Sequence, residues 1–298
     1  MKKPIYGYWA NKTGSATPAG KARGVISRNA PDAAERISRN MYYPVQIPYI
    51  LDKEFAESIK YSEEVIPDCK DFVICFWEMR PLSSAAKTVE NIIVADGCID
   101  LVADYDRKRI GFAGMSKTDF NFKISLPADS MGVRLKPGAF YAITNVPAHN
   151  AMDNFMPIDT IDRDFDVKGF FALDFSDAKL FFKKYAASLI ENKKPSKFMA
   201  LFEELNNEIP NSAHEVYKKL YYSHRQCQRL FSKNYGLSPQ MVLCILRFQW
   251  CLRKLASGEK SPRDIMDISN YYDQSHFIHD FKQNIGLTPL ELVRRYTS

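Results

Sequence analysis

The sequence predicts an α+β protein. A small N-terminal β-barrel or sandwich leads through a helical linker to an all-α C-terminal domain. There, two helix-turn-helix motifs are joined by a long helix. Three observations carry this. Short β-branched and aromatic runs, broken by Gly, Pro, Asp or Ser, fill the first half of the 298 residues. From about residue 177 the apolar spacing lengthens toward 3.6. Last, the string YYSHRQCQRLFSKNYGLSP (221–239) returns fifty residues later, without a gap, as YYDQSHFIHDFKQNIGLTP (271–289).

The elements follow in order. Residues 1–45 are basic and poor in aliphatics, and read as an N-terminal arm. Tyr6, Tyr8 and Trp9 could dock such an arm on the body, and Asp32 could cap a short helix. Residues 46–165 form the β-rich part, a sensing or dimerisation domain. DFVICFWEM, NIIVADGCIDLVADYD, IGFAG, FNFKISL, GVRLK and FYAITNV are its predicted β runs, with DYDRKR as a hairpin turn. Residues 166–206 are the linker. It holds helices over 177–192 and 195–209, the first with Phe181, Tyr185, Leu189 and Ile190 on one side. Residues 207–298 are helical throughout, with Ser223, Ser238 and Asp273 as N-caps and Gly236, Gly258 and Gly286 as stops.

Composition narrows the function. Hydrophobic residues at 46% and charged residues at 26% exclude a disordered chain. No stretch approaches the ~18 apolar residues of a membrane span. The first residues lack the apolar core of a signal peptide. The expected location is cytoplasmic. The six Cys are scattered without a C-x-x-C pair and read as free, mostly buried thiols. His149 is the sole His before residue 200, which argues against a histidine-based metal enzyme. Cys69, Cys75 and Cys98 lack the paired spacing of a thiol-transfer repair domain. No catalytic residue, metal or cofactor is assigned. The net charge is +6, and residues 207–298 carry thirteen Lys/Arg against eight Asp/Glu, or +5 of it. A basic helical third beside a nearly neutral remainder points to a polyanion partner.

Each copy of the repeat reads as two short helices joined by a tight turn. The turn needs a residue that tolerates a left-handed backbone: Asn270 in the second copy, Leu220 or Tyr221 in the first. At 100° per residue, Cys227 and Phe231 share one side of the first copy's second helix, as do Phe277 and Phe281 in the other copy. Opposite them lie Arg225, Gln228, Arg229 and Ser232, and Ser275, Ile278, His279 and Lys282. Arg and Gln can grip guanine and adenine edges in the major groove, and Ile278 could meet a thymine methyl. The intervening helix, at ~1.5 Å per residue over some eighteen residues, spans ~27 Å. With its turns it can hold two such helices about one DNA turn apart.

On these strings the last third, roughly 207–298, closely resembles the DNA-binding domain of the AraC/XylS family of transcription regulators. SHRQCQRLFSKNYGLSP resembles the family's first helix-turn-helix, and YYDQSHFIHDFKQNIGLTPLELVRR its second. The resemblance implies base reading by Arg225, Gln228 and Arg229, and by Gln274, Ser275, Ile278 and His279. Asn270 stands where Gly is usual, and His279 where a fixed cation is common. The first copy, with more fixed charge, is expected to carry most base discrimination. VADGCIDLVADYD (94–106) and GVRLKPGAFYAITNVPAH (132–149) resemble the effector-type domain of some members, which implies a cupin-like β domain. The resemblance also implies double-stranded promoter DNA and RNA polymerase as partners, and activation more than repression. An effector pocket would be lined by Trp77, Tyr105 and Phe112, with Arg134 or Lys136 facing an anionic small molecule. The alternatives are a ligand-free domain that only forms a homodimer, or a barrel enzyme with a DNA-targeting tail.

Overall fold

The computed structural model describes residues 41–45, 53–115, 121–256, 265 and 273–297. The readings for residues 1–40, and the helix and turn expected across 257–272 (Ile265 apart), lie outside them.

The N-terminal half is built on an open six-stranded sheet, not a closed barrel. Its strands are β1 (Ile59–Glu64), β2 (Val73–Pro81), β7 (Ser130–Leu135), β4 (Ile99–Asp104), β5 (Arg109–Gly114) and β8 (Phe155–Pro157), antiparallel in that spatial order. A separate two-stranded ribbon pairs β3 (Lys87–Ile92) with β6 (Asn121–Leu126). It packs Val89 and Leu126 on Phe55 of helix α1 (Lys53–Ser58) and on Ile59 of β1, which gives a sandwich-like second layer.

Both faces of the large sheet are covered, which is why VICFW in β2 is buried residue after residue rather than alternately. Phe76, Leu101, Phe112, Met131 and Val133 face one layer of helices: α2 (Ala139–Thr144), α3 (Val167–Ala172) and α4 (Phe175–Ile190). Cys75, Trp77 and Val102 face the other way, toward Tyr42, Phe198, Phe202 and the C-terminal helices. Each buried large apolar side chain contributes about 1.5–3 kcal/mol. Among the described residues, no helix is long and apolar enough to cross a membrane.

One sequence reading fails here. FYAITNV is helix α2, not a strand. Gly138 in the left-handed region opens it, and Phe140 and Ile143, one turn apart, both insert into the core. Helical spacing of two anchors overrides the β-leaning composition. In α4 the buried stripe is Ala178, Phe182 and Ala186, while Phe181 is 45% exposed. The two small Ala let the helix sit close to the sheet, and a bulky stripe would hold it off. Helix α5 (Lys197–Asn207) follows, capped by Ser196.

Gly132 of β7 lies under the indole of Trp77, where an added Cβ would meet ring carbons at 2.4 Å. Gly132→Ala should therefore cost about 1–3 kcal/mol in urea unfolding, through displacement of Trp77.

Candidate nucleic-acid interface

The C-terminal helices are α6 (Ala213–Leu220), α7 (His224–Tyr235), α8 (Pro239–Ala256), α9 (Gln274–Ile285) and α10 (Pro289–Thr297). Local chemistry sets their limits. The Ser223 hydroxyl accepts from the Gln226 backbone N–H, and the Gln226 side chain accepts from the Ser223 N–H, a full capping box. Asp273 accepts from His276 N–H to start α9. Gly236 and Gly286, both left-handed, end α7 and α9.

Of the two residues offered for the first turn, Tyr221 takes the left-handed position (φ 54°). Its ring is 94% exposed. A residue with a Cβ held there costs roughly 1–2 kcal/mol. Its neighbour Tyr222 receives a 3.0 Å hydrogen bond from Lys197 of α5.

The two faces of α7 separate cleanly. Cys227 and Phe231 are fully buried, whereas Arg225 and Arg229 are exposed. Gln228 is half-buried and leans on the Tyr217 hydroxyl at 3.4 Å. Ser232 is half-buried too, 3.3 Å from Nδ1 of His149 in the N-terminal half. In α9, Phe277 and Phe281 are buried, Gln274, Ser275, His279 and Lys282 are exposed, and Ile278 is intermediate. Sequence reasoning missed Asp280, a carboxylate buried in α9 with Oδ1 3.9 Å from His276 Nε2.

Both α7 and α9 hang on α8. Val242, Leu243, Ile245 and Leu246 pack with Phe231 and Tyr235, while Phe248, Cys251 and Leu252 pack with Phe277, Phe281 and Ile285. The last turn of α7 also rests on α5 and α2. The Tyr235 hydroxyl donates to Phe198 O at 2.5 Å, and Lys233 Nζ sits 4.5 Å from the centre of the Tyr141 ring.

The expected effector residues do not converge. Phe112 is core, edge-on to Phe140 at 5.0 Å. Tyr105 lies at the β4–β5 hairpin, among Phe170, Phe171 and Phe175. Trp77 and Arg134 do meet, on the face toward the C-terminal helices. The Trp77 indole donates to Asp100 Oδ2 at 2.8 Å, and Arg134 contacts both Asp100 oxygens at 3.3 Å. Arg134 is 4% exposed and also lies 3.8 Å from Asp96 and 3.7 Å from Glu63. Burial opposes its charge, but Asp100, Tyr61, Cys75 and Asp96 outweigh that and hold the guanidinium firmly protonated. Glu63 in turn accepts from the Tyr43 and Tyr61 hydroxyls. This cation is already engaged by three carboxylates. Among the described residues, no group of three or more His, Cys, Asp or Glu could hold a metal ion.

The geometry thus defines a class: a β-sheet domain carrying a helical unit in which the α6–α7 helix-turn-helix and the similarly capped helix α9 share the long helix α8. Residues 216–295 match a family model described as a helix-turn-helix domain. Residues 66–157 match one described as a domain of unknown function, DUF6597. No curated protein matches the chain. Similar solved structures include ToxT from Vibrio cholerae, at 11% identity, over 75% of this chain and 98% of that one, with a TM-score of 0.38. ToxT bound to (E)-4-(8-methylnaphthalen-1-yl)but-3-enoic acid is similar at 13% identity, over 74% and 97%, with a TM-score of 0.39. Residues 216–295 thus form a helix-turn-helix domain.

Replacing Arg134 with Met should cost about 3–5 kcal/mol in thermal or urea unfolding, because Asp96, Asp100 and Glu63 lose their shared cation. A loss below about 1 kcal/mol would mean the cluster is solvated in solution.

Proposed function

We propose that α7 and α9 read two successive major-groove segments on one face of a promoter duplex. Arg225, Gln228 and Arg229 contact base edges from α7, with Ser232 at the margin. Gln274, Ser275, Ile278, His279 and Lys282 form the second, less charged contact. One observation carries this reading: two similarly capped helices turn their polar faces away from cores that share the 18-residue helix α8. The chain acts by binding rather than catalysis, in the cytoplasm, and recruits RNA polymerase as an activator.

The N-terminal domain supplies control. An effector that reached the Trp77–Arg134 layer would compete for Asp100 or Asp96, directly beneath the contact with the C-terminal helices. Leu173, Leu180 and Phe181 are exposed on α4 and its approach, and form the surface of a homodimer. A metabolite screen separates the two roles. A true effector raises the melting temperature and changes DNA affinity together, whereas a domain that only dimerises responds to none.

DNA affinity should fall steeply with salt, because Lys and Arg displace counterions from phosphates. Arg229→Ala should cost about 1–3 kcal/mol on the preferred duplex and relax preference at one base pair. Equal binding of specific and scrambled duplexes by wild type and variant would refute base reading by this helix.

A further inference from the structure

The turn between β3 and β4 (Ile93–Cys98, IVADGC) belongs to the N-terminal half, yet it lies inside the C-terminal helical unit. Val94 is fully buried in the core that α9 shares with α8, with Phe248, Phe277, Phe281 and Ile285. Ala95 and Cys98 are buried in the cluster that holds Phe231, Tyr235 and Leu237 of the α6–α7 helix-turn-helix. Gly97, with φ 72°, brings the chain within 3.7 Å of Phe202 and 3.8 Å of Leu237, as measured from a Cβ position it does not fill.

Polar groups fix the turn as tightly as apolar ones. Asn284 lies in the last turn of α9, where carbonyls lack a partner within the helix. The Ala95 N–H donates to the Asn284 carbonyl at 3.1 Å. Gln249, midway along α8 and wholly buried, uses both ends of its amide. Its Nε2 donates to Ala95 O at 2.8 Å, and its Oε1 accepts from Val45 N–H at 2.8 Å. A buried amide so satisfied holds one orientation, since any shift strands a donor or an acceptor. From the sheet side, Asp96 accepts from Cys98 N–H at 2.8 Å and lies 3.8 Å from Arg134, and its carbonyl accepts from the Tyr42 hydroxyl at 2.7 Å.

We infer that residues 94–98 are positioning residues for DNA binding: the turn sets the pose of α9 relative to α7, and thereby the match to two groove segments. The inference rests on the reading that both helices contact DNA. The turn touches no DNA itself. It acts through the α9 carboxyl end and the middle of α8, and it is the route by which a change at Arg134 reaches the second reader.

The test uses the full chain and a duplex selected by the wild-type protein from a random-sequence pool. That duplex is then cut into halves that each offer one groove segment. Val94→Ala shortens a buried side chain, and Gln249→Leu removes both amide contacts while keeping a helix-favouring residue. Each variant should bind the whole duplex at least about fivefold more weakly than wild type. Each should bind the half duplexes as wild type does. Wild-type affinity of both variants for the whole duplex would overturn the inference and leave the two-reader reading intact. Equal losses on whole and half duplexes would also overturn it, since the turn would then matter only for folding. If wild type binds one half as tightly as the whole, the two-reader reading itself fails and the inference falls with it. Should Gln249→Leu fail to unfold cooperatively, Val94→Ala alone decides.

Discussion

The buried amide of Gln249 is the contact on which the arrangement of this molecule depends. It ties the middle of α8 to Ala95 of the sheet domain and to Val45 of the preceding segment. Helix α8 in turn carries both α7 and α9. A polar side chain at full burial is destabilising unless every donor and acceptor is matched, and here each match comes from another part of the chain. Helices α7 and α9, which could otherwise rock about a shared helix, are thereby fixed to one scaffold. Tyr42 adds to this from the same segment. Its ring stands edge-on to Phe202 at 4.9 Å, and its backbone N–H donates to Glu203 at 2.6 Å. Burial, with Cys98 and Asp96 beside it, pushes its phenol well above the usual range, so it stays a neutral donor.

Below that contact lies the Arg134 layer. Burying one guanidinium against three carboxylates gives little net stability compared with a hydrophobic core. Its value lies in geometry, because the charges fix the Asp96 turn to β4 and β7. The aromatic hydroxyls of Tyr43 and Tyr61 and the indole of Trp77 complete the layer. It joins the face of the sheet to the element that enters the helical unit.

The helical third was largely legible in the sequence. Caps and stops are local chemistry: Ser223 with Gln226, Asp273, Gly236 and Gly286 need only their neighbours. The repeat made burial of Cys227, Phe231, Phe277 and Phe281 readable on a wheel. What was not legible is long-range. The string VADGC was noticed as a motif, but nothing in it says that Val94 enters a core built from residues 248–292. Gln249, a lone amide in the apolar run ILRFQWCL, was the available signal. FYAITNV was misread because its strand-like composition matters less than two anchors a turn apart. The effector residues were drawn from aromatic content alone, which cannot separate core Phe112 from Trp77 beside Arg134.

The central claim is that one chain places two reading helices in successive turns of the same groove face. Hydroxyl-radical footprinting of the full chain on its selected duplex tests it most directly. The account requires two protected windows centred about 10–10.5 base pairs apart on one face of the DNA. A single window, or two windows on opposite faces, would contradict it.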